Sequence, residues 1–123
     1  MKPISTDAAP KPVAAYSQAT VAGGFVFTAG QVGVDPVSGT LVDGLTAQAE
    51  RAFSNVRTIL AAGGCAVEDV VKVTIFLTDM TKFAEVNKVY EAFVGNARPA
   101  RTTVGVSALP LGALIEIDAI AAI

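Results

Sequence analysis

The chain has no histidine, no tryptophan and one cysteine among its 123 residues, and these absences close off several chemistries. Without histidine the usual physiological-pH base is missing, so acid-base and nucleophilic work falls to Asp, Glu, Lys, Tyr, Ser, Thr and the one Cys. A single cysteine forms no internal disulfide, and without imidazoles no cluster can hold zinc, haem or copper. Transition-metal chemistry is thereby excluded. Basic residues are few as well: nine Lys and Arg against eleven Asp and Glu give a net charge of −2, with a pI near 4.9. That is no footprint for a phosphate backbone, so nucleic acid is a disfavoured partner. No run approaches the roughly 20 apolar residues of a membrane span, and the opening MKPISTDAAPKPVAAYSQ lacks a signal peptide's apolar core. A soluble, cytoplasmic protein with no membrane partner is expected.

What the chain has in quantity is apolar residues, 52% of the total against 16% charged. The length fits one domain, residues 1–123, with ample material for a core. The surplus exceeds what one small monomer buries, so some apolar surface is expected to pack against other subunits.

Periodicity places the elements. Residues 1–15 carry prolines and alanines without a period and read as an extended lead-in. Two apolar runs follow, near 17–21 and 25–29, separated by Gly23 and Gly24, the pair a tight hairpin turn demands. Asp35, Pro36, Ser38 and Gly39 mark a second turn. Leu45, Ala49, Ala52, Phe53, Val56, Ile59 and Leu60 recur every three or four residues and predict a helix of about four turns, stopped at Gly63 and Gly64. DVVKVTIFLTD predicts a strand with Val71, Val73, Ile75 and Leu77 on one face. TKFAEVNKVYEAFVG returns to helical spacing, with Asp79 or Thr81 as its cap. Strands are then expected over 101–108 and 114–123. The order ββαβαββ suggests an α+β sandwich, a mixed sheet with two helices packed on one face.

Two charges stand inside apolar strands, Arg101 in PARTTVGV and Glu116 in LIEIDAIAAI, and such charges must be paired, ligand-facing or interfacial. Arg101 either pairs with Glu116 or Asp118, or serves as a bidentate clamp for a carboxylate. Alternation groups Arg101, Thr103, Gly105 and Ser107 on one face, with Thr102, Val104, Val106 and Ala108 assigned to the core face. Glu116 shares its face with Asp118 and Ile120. A partly desolvated carboxylate has a raised pKa and can hold or deprotonate a water; an interfacial role is the alternative. If the last two strands form a hairpin, Glu116 falls nearer Gly105 than Arg101, an offset of roughly 13 Å along the strand. Cys65 reads as a small buried hydrophobe and Lys72 as a solvated side chain. The glycines match no phosphate-loop spacing. Tyr16 is either a hydrophobic plug or a hydroxyl donor to a ligand.

AYSQA at 15–19, FTAGQVGVDPVSGTLV at 27–42, VNKVYEAFV at 86–94 and PARTTVGVSALPLGALIEIDAIA at 99–121 together resemble the reactive-intermediate deaminase family, of RidA or YjgF type. The resemblance runs in order along nearly the whole chain. It implies a chorismate-mutase-like fold and a homotrimer with clefts between neighbouring subunits. The activity it implies is cofactor-independent hydrolysis of 2-imino acids, such as 2-iminopropanoate and 2-iminobutanoate, or their enamine tautomers, to 2-oxo acids and ammonia. A trimer that binds 2-oxo acids without turnover, or regulates other proteins, is the alternative. By the resemblance Arg101 binds the substrate carboxylate, Glu116 holds the water, and Tyr16, Gly30, Asn87 and Thr103 line the cleft. The chain departs from many members at Ala15, Ala29 and Thr103, where proline, serine and cysteine are common.

Overall fold

The structure, a computed structural model, describes residues 1–123. One mixed sheet carries seven strands: β1 (Lys2–Ile4), β2 (Ala19–Ala22), β3 (Phe25–Thr28), β4 (Gln31–Val32), β5 (Val70–Leu77), β6 (Ala100–Gly105) and β7 (Ile115–Ala122). Two helices, α1 (Leu45–Ala62) and α2 (Phe83–Val94), cover one face. This is the expected α+β architecture, with two short strands added. β1 draws part of the proline-rich lead-in onto β2, and β4 continues the line of β3. Neither is long enough to show a two-residue period in the sequence.

The strands lie in the order β1-β2-β3-β7-β5-β6, with β4 also on β7. β2 and β3 form the expected hairpin, and Gly23 (φ 58°) and Gly24 (φ 82°) supply the two positive dihedrals that match the strands' twist. After β3 the chain leaves the ladder for two residues, Ala29 and Gly30, and rejoins β7 as β4. Helix α1 ends at Gly63, with Gly64 at φ 82° turning the chain towards β5. Asp79 accepts from the Thr81 amide at 3.0 Å and caps the 3-10 turn that leads into α2.

The core lies between helices and sheet. Val73, Ile75, Leu77, Ile115, Ile117, Ala119 and Ala121 face Ala49, Ala52, Phe53, Val56, Ile59 and Leu60 of α1, and Val86, Tyr90 and Phe93 of α2. Phe53 stacks on Phe93 at 4.7 Å and on Tyr90 at 5.8 Å, which locks the helices together. Val71 was expected to share the face of Val73, Ile75 and Leu77, but an irregularity between Val70 and Lys72 shifts the register and leaves it 43% exposed. Cys65 is buried, as expected. No helix is long and apolar enough to cross a membrane.

Two expectations about the last strands are overturned. β6 and β7 do not form a hairpin: β6 runs parallel to β5 on one side, and β7 runs antiparallel to β5 on the other. The α2 crossover sets β6 parallel to β5, and residues 106–114 then carry the chain across to the far side of β5. The face assignment of β6 is also reversed. Arg101 pairs with Val73 and Thr103 with Ile75, both core-facing, so Arg101 and Thr103 lie on the helix side, while Thr102 and Val104 lie on the open side. The rule of apolar residues inwards fails because the open face is itself apolar, with Phe25, Phe27, Val71 and Val104 all exposed on the strands.

Candidate active site

Arg101 leaves the edge strand β6 on the helix side and lies against α2. Its guanidinium carbon sits 4.6 Å from the Tyr90 ring centroid and 5.2 Å from that of Phe83. Nη1 donates to Asn87 Oδ1 at 2.8 Å. The Asn87 amide is itself turned, because its Nδ2 donates to Glu91 Oε1 at 2.9 Å and so presents the oxygen to Arg101. Neither Glu116 nor Asp118 pairs with the arginine; the ion pair within 4.0 Å in this chain is Lys11 with Asp7. The fork is thus held by one amide and two rings, with its remaining N–H donors free to grip an anion.

Thr103 is two residues along the same face. Its Oγ1 is out of solvent and has no hydrogen-bond partner, a condition that costs free energy unless a ligand supplies one. Thr103→Val, which keeps the shape and removes the hydroxyl, is expected to hold stability or raise it by up to about 1 kcal/mol. Thermal melts check this; a clear drop in Tm would show that the hydroxyl serves the fold.

Tyr16, Gly30 and Glu116 gather elsewhere. With Ala29 and Gln31 they line one cavity of about 710 Å³ beside the break between β3 and β4. Glu116 lies against Gly30 so closely that a Cβ there would stand 2.6 Å from its Oε2. Glycine is the residue that lets the carboxylate lie over the backbone at this break. Burial pushes the Glu116 carboxyl above its usual range, and the charge of Asp118 adds to this. Asp118 is raised by burial too, countered by a hydrogen bond from Thr74 and the charge of Lys72. Lys72 lies on the open face, where Nζ donates to Thr102 Oγ1 at 2.7 Å. A second cavity of about 380 Å³, between Leu45, Leu77, Asp79 and Glu85, holds none of the candidate residues. No group of three Cys, Asp or Glu side chains is placed to hold a metal ion.

The candidates therefore fall into two sets, Asn87, Arg101 and Thr103 on the helix side, and Tyr16, Gly30 and Glu116 in the cavity. In strand register Arg101 is level with Ala119, three residues from Glu116 and two strands away. That is roughly 14 Å between Cα atoms, with the side chains leaving on opposite faces.

Several supporting residues escaped the sequence reading. Tyr90 and Phe83 register there only as members of a helix's apolar stripe, and Glu91 is not singled out. Gln18 is 2% exposed. It donates to the carbonyls of Thr6, Ala9 and Pro10 and accepts from the Thr6 amide, fastening the loop that carries Tyr16. Fully buried Asn55 donates to the carbonyls of Val32 and Val34 and ties β4 to α1. A polar residue at a strand edge or inside an apolar helical stripe was the available signal for both.

Comparison with known proteins shows the family and the fold. The sequence model of the family described as Endoribonuclease L-PSP matches residues 6–123. The chain is 45% identical over 121 residues to the 2-iminobutanoate/2-iminopropanoate deaminase of Rattus norvegicus, spanning 98% of this chain and 88% of that one. It is 46% identical to a RutC family protein of Aquifex aeolicus, spanning 98% of each. The crystal structure of RidA from an Antarctic Psychrobacter superposes with a TM-score of 0.97 over the full length of both chains, at 43% identity. The chain belongs to the RidA/YjgF family.

Proposed function

We propose that this protein is a cytoplasmic, cofactor-independent deaminase of 2-imino acids, working as a homotrimer whose sites lie between subunits. The observation that carries the reading is the division of the candidates into two half-sites on opposite faces of one chain. An anion grip without a water-handling group, and a carboxylate without an anion grip, make one site if the Arg101 set of one subunit meets the Glu116 cavity of the next. The exposed Phe25, Phe27, Val71 and Val104 supply apolar surface for such packing. The name of the rat relative supports the chemistry.

In this site Arg101 fixes the substrate carboxylate, and backbone groups near Gly30 and Thr103 hold the imine nitrogen. The Glu116 carboxylate takes a proton from a water as the water oxygen bonds to C2 and the C=N π pair moves to nitrogen. Starting from the iminium ion, the protonated carboxyl returns that proton to nitrogen, the C–N bond breaks to release ammonia, and the Glu116 carboxylate takes the hydroxyl proton as the C=O bond forms and passes it to the ammonia or to water. An iminium ion is already electrophilic, so positioning supplies most of the rate. RNA cleavage fits the site poorly, because an acidic chain without imidazole offers neither phosphate-binding charge nor a near-neutral acid-base pair.

Mixing tests both chemistry and assembly. Arg101→Ala and Glu116→Gln subunits are each expected to be inactive alone. Refolded together in equal amounts, about a quarter of the interfaces would pair an intact arginine with an intact glutamate, restoring about that share of wild-type rate. The rate is read as imine lost to hydrolysis in competition with semicarbazide trapping. No recovery in the mixture would refute the shared site.

A further inference from the structure

Three apolar side chains from three separate segments converge on the mouth of the Glu116 cavity and stand in water. Val13 of the lead-in loop is 91% exposed, Val37 of the turn after β4 is 96% exposed, and Leu111 of the LPLGA segment is 70% exposed. Singly these would need no explanation, but a patch that rims one cavity marks a binding surface. Leu111 is more unusual still. It is the one non-glycine residue with positive φ, at 61°. In that left-handed region a leucine is strained where asparagine or glycine sits easily. The fold thus holds an aliphatic side chain at the mouth against both its solvation and its backbone preference.

The chemistry of the substrate says what belongs there. The C2 atom of a 2-imino acid is planar, with three substituents. If the carboxylate goes to Arg101 and the nitrogen to the backbone near Gly30, the third substituent, the amino-acid side chain, takes the remaining wall, where Val13, Val37 and Leu111 stand alongside Asp7, Lys11, Asp35 and Ser38. The geometry points to branched aliphatic 2-imino acids, of the kind formed by oxidising leucine, as the preferred substrates, with Leu111 as a residue that sets this preference. This rests on the deaminase reading above and sharpens its substrate class.

The test compares imines made in place from leucine and from alanine by an amino-acid oxidase, with semicarbazide as the competing trap. Wild-type protein is expected to show a kcat/KM about tenfold or more higher for the leucine-derived imine, since buried methylenes each multiply the rate several-fold. Leu111→Asn suits the left-handed backbone, so Tm is expected to hold or rise while the leucine-to-alanine ratio falls about tenfold. Val37→Ser, in an exposed turn, is expected to lower the same ratio and stands in if the first variant does not fold. Equal rates in wild type, or a ratio unmoved by either variant, overturns the inference and leaves the deaminase reading intact. A variant that breaks up the oligomer on gel filtration assigns the rim to subunit packing and overturns it as well. If neither imine is hydrolysed faster than in buffer, the deaminase reading itself falls, and this one with it.

Discussion

Arg101→Ala is expected to lower kcat/KM for imine hydrolysis by about 100- to 1,000-fold, the effect of removing one partner from a desolvated charge pair. The loss should fall more on KM than on kcat, because the arginine grips the carboxylate in both ground and transition state. Arg101→Lys should recover only part of it. A lysine keeps the charge but loses the planar fork, which donates to Asn87 at 2.8 Å and lies over the Tyr90 ring at 4.6 Å. The fold should survive either change, since the aromatic contacts are worth about 0.5–1 kcal/mol each at a part-exposed site. Steady-state kinetics with circular dichroism decide the matter, and an Arg101→Ala enzyme with wild-type kinetics would sink the anion-grip mechanism.

Glu116→Gln is expected to cost about 100- to 10,000-fold in kcat, the usual range for a positioned general base, with little change in KM. Its effect on stability should run the other way. In the folded chain the Glu116 and Asp118 carboxyls both titrate above their ordinary values of 4.5 and 3.8. The native state therefore holds these protons more tightly than the unfolded chain does. Their contribution to stability is fully present below the ordinary values and is lost as pH rises through the raised ones. Melts of the wild type from about pH 4 to 7 should show that loss, and Glu116→Gln should reduce it, leaving the part due to Asp118. Activity needs the charged carboxylate and should rise with pH over the same window. A Glu116→Gln variant that is active, or whose melting curve follows wild type across that range, would remove Glu116 from the site.

The opposed pH trends reflect one placement. A carboxylate half-buried over the Gly30 backbone is poorly solvated when charged, which weakens the fold slightly and raises the basicity available to a bound water. The break between β3 and β4 makes room for it. On one side of that break the Ala29 amide donates to the Gln18 carbonyl at 2.8 Å, and on the other Asn55 donates to the carbonyls of Val32 and Val34, so the weakness is local.

Residue pattern alone determined the helices, the Gly23–Gly24 hairpin, β5 and the alternation of β7, because each is a local period or a local dihedral demand that neighbouring residues state by themselves. It also singled out Arg101 and Glu116, since a charge in an apolar strand is visible without any fold. Which face Arg101 occupies was not legible. Both faces of the sheet carry apolar residues, so a polar face of β6 need not be the outer one; only the pairing of Arg101 with Val73 decides it. The distance from Arg101 to Glu116 was not legible either, because strand order is a non-local choice: a hairpin and a crossing to the far side of β5 leave the same local sequence. Tertiary structure alone put Tyr90 and Phe83 under the guanidinium, set Leu111 at the cavity mouth, and split the candidates between two faces. These depend on contacts between residues far apart in the chain, where packing, rather than local preference, fixes the outcome.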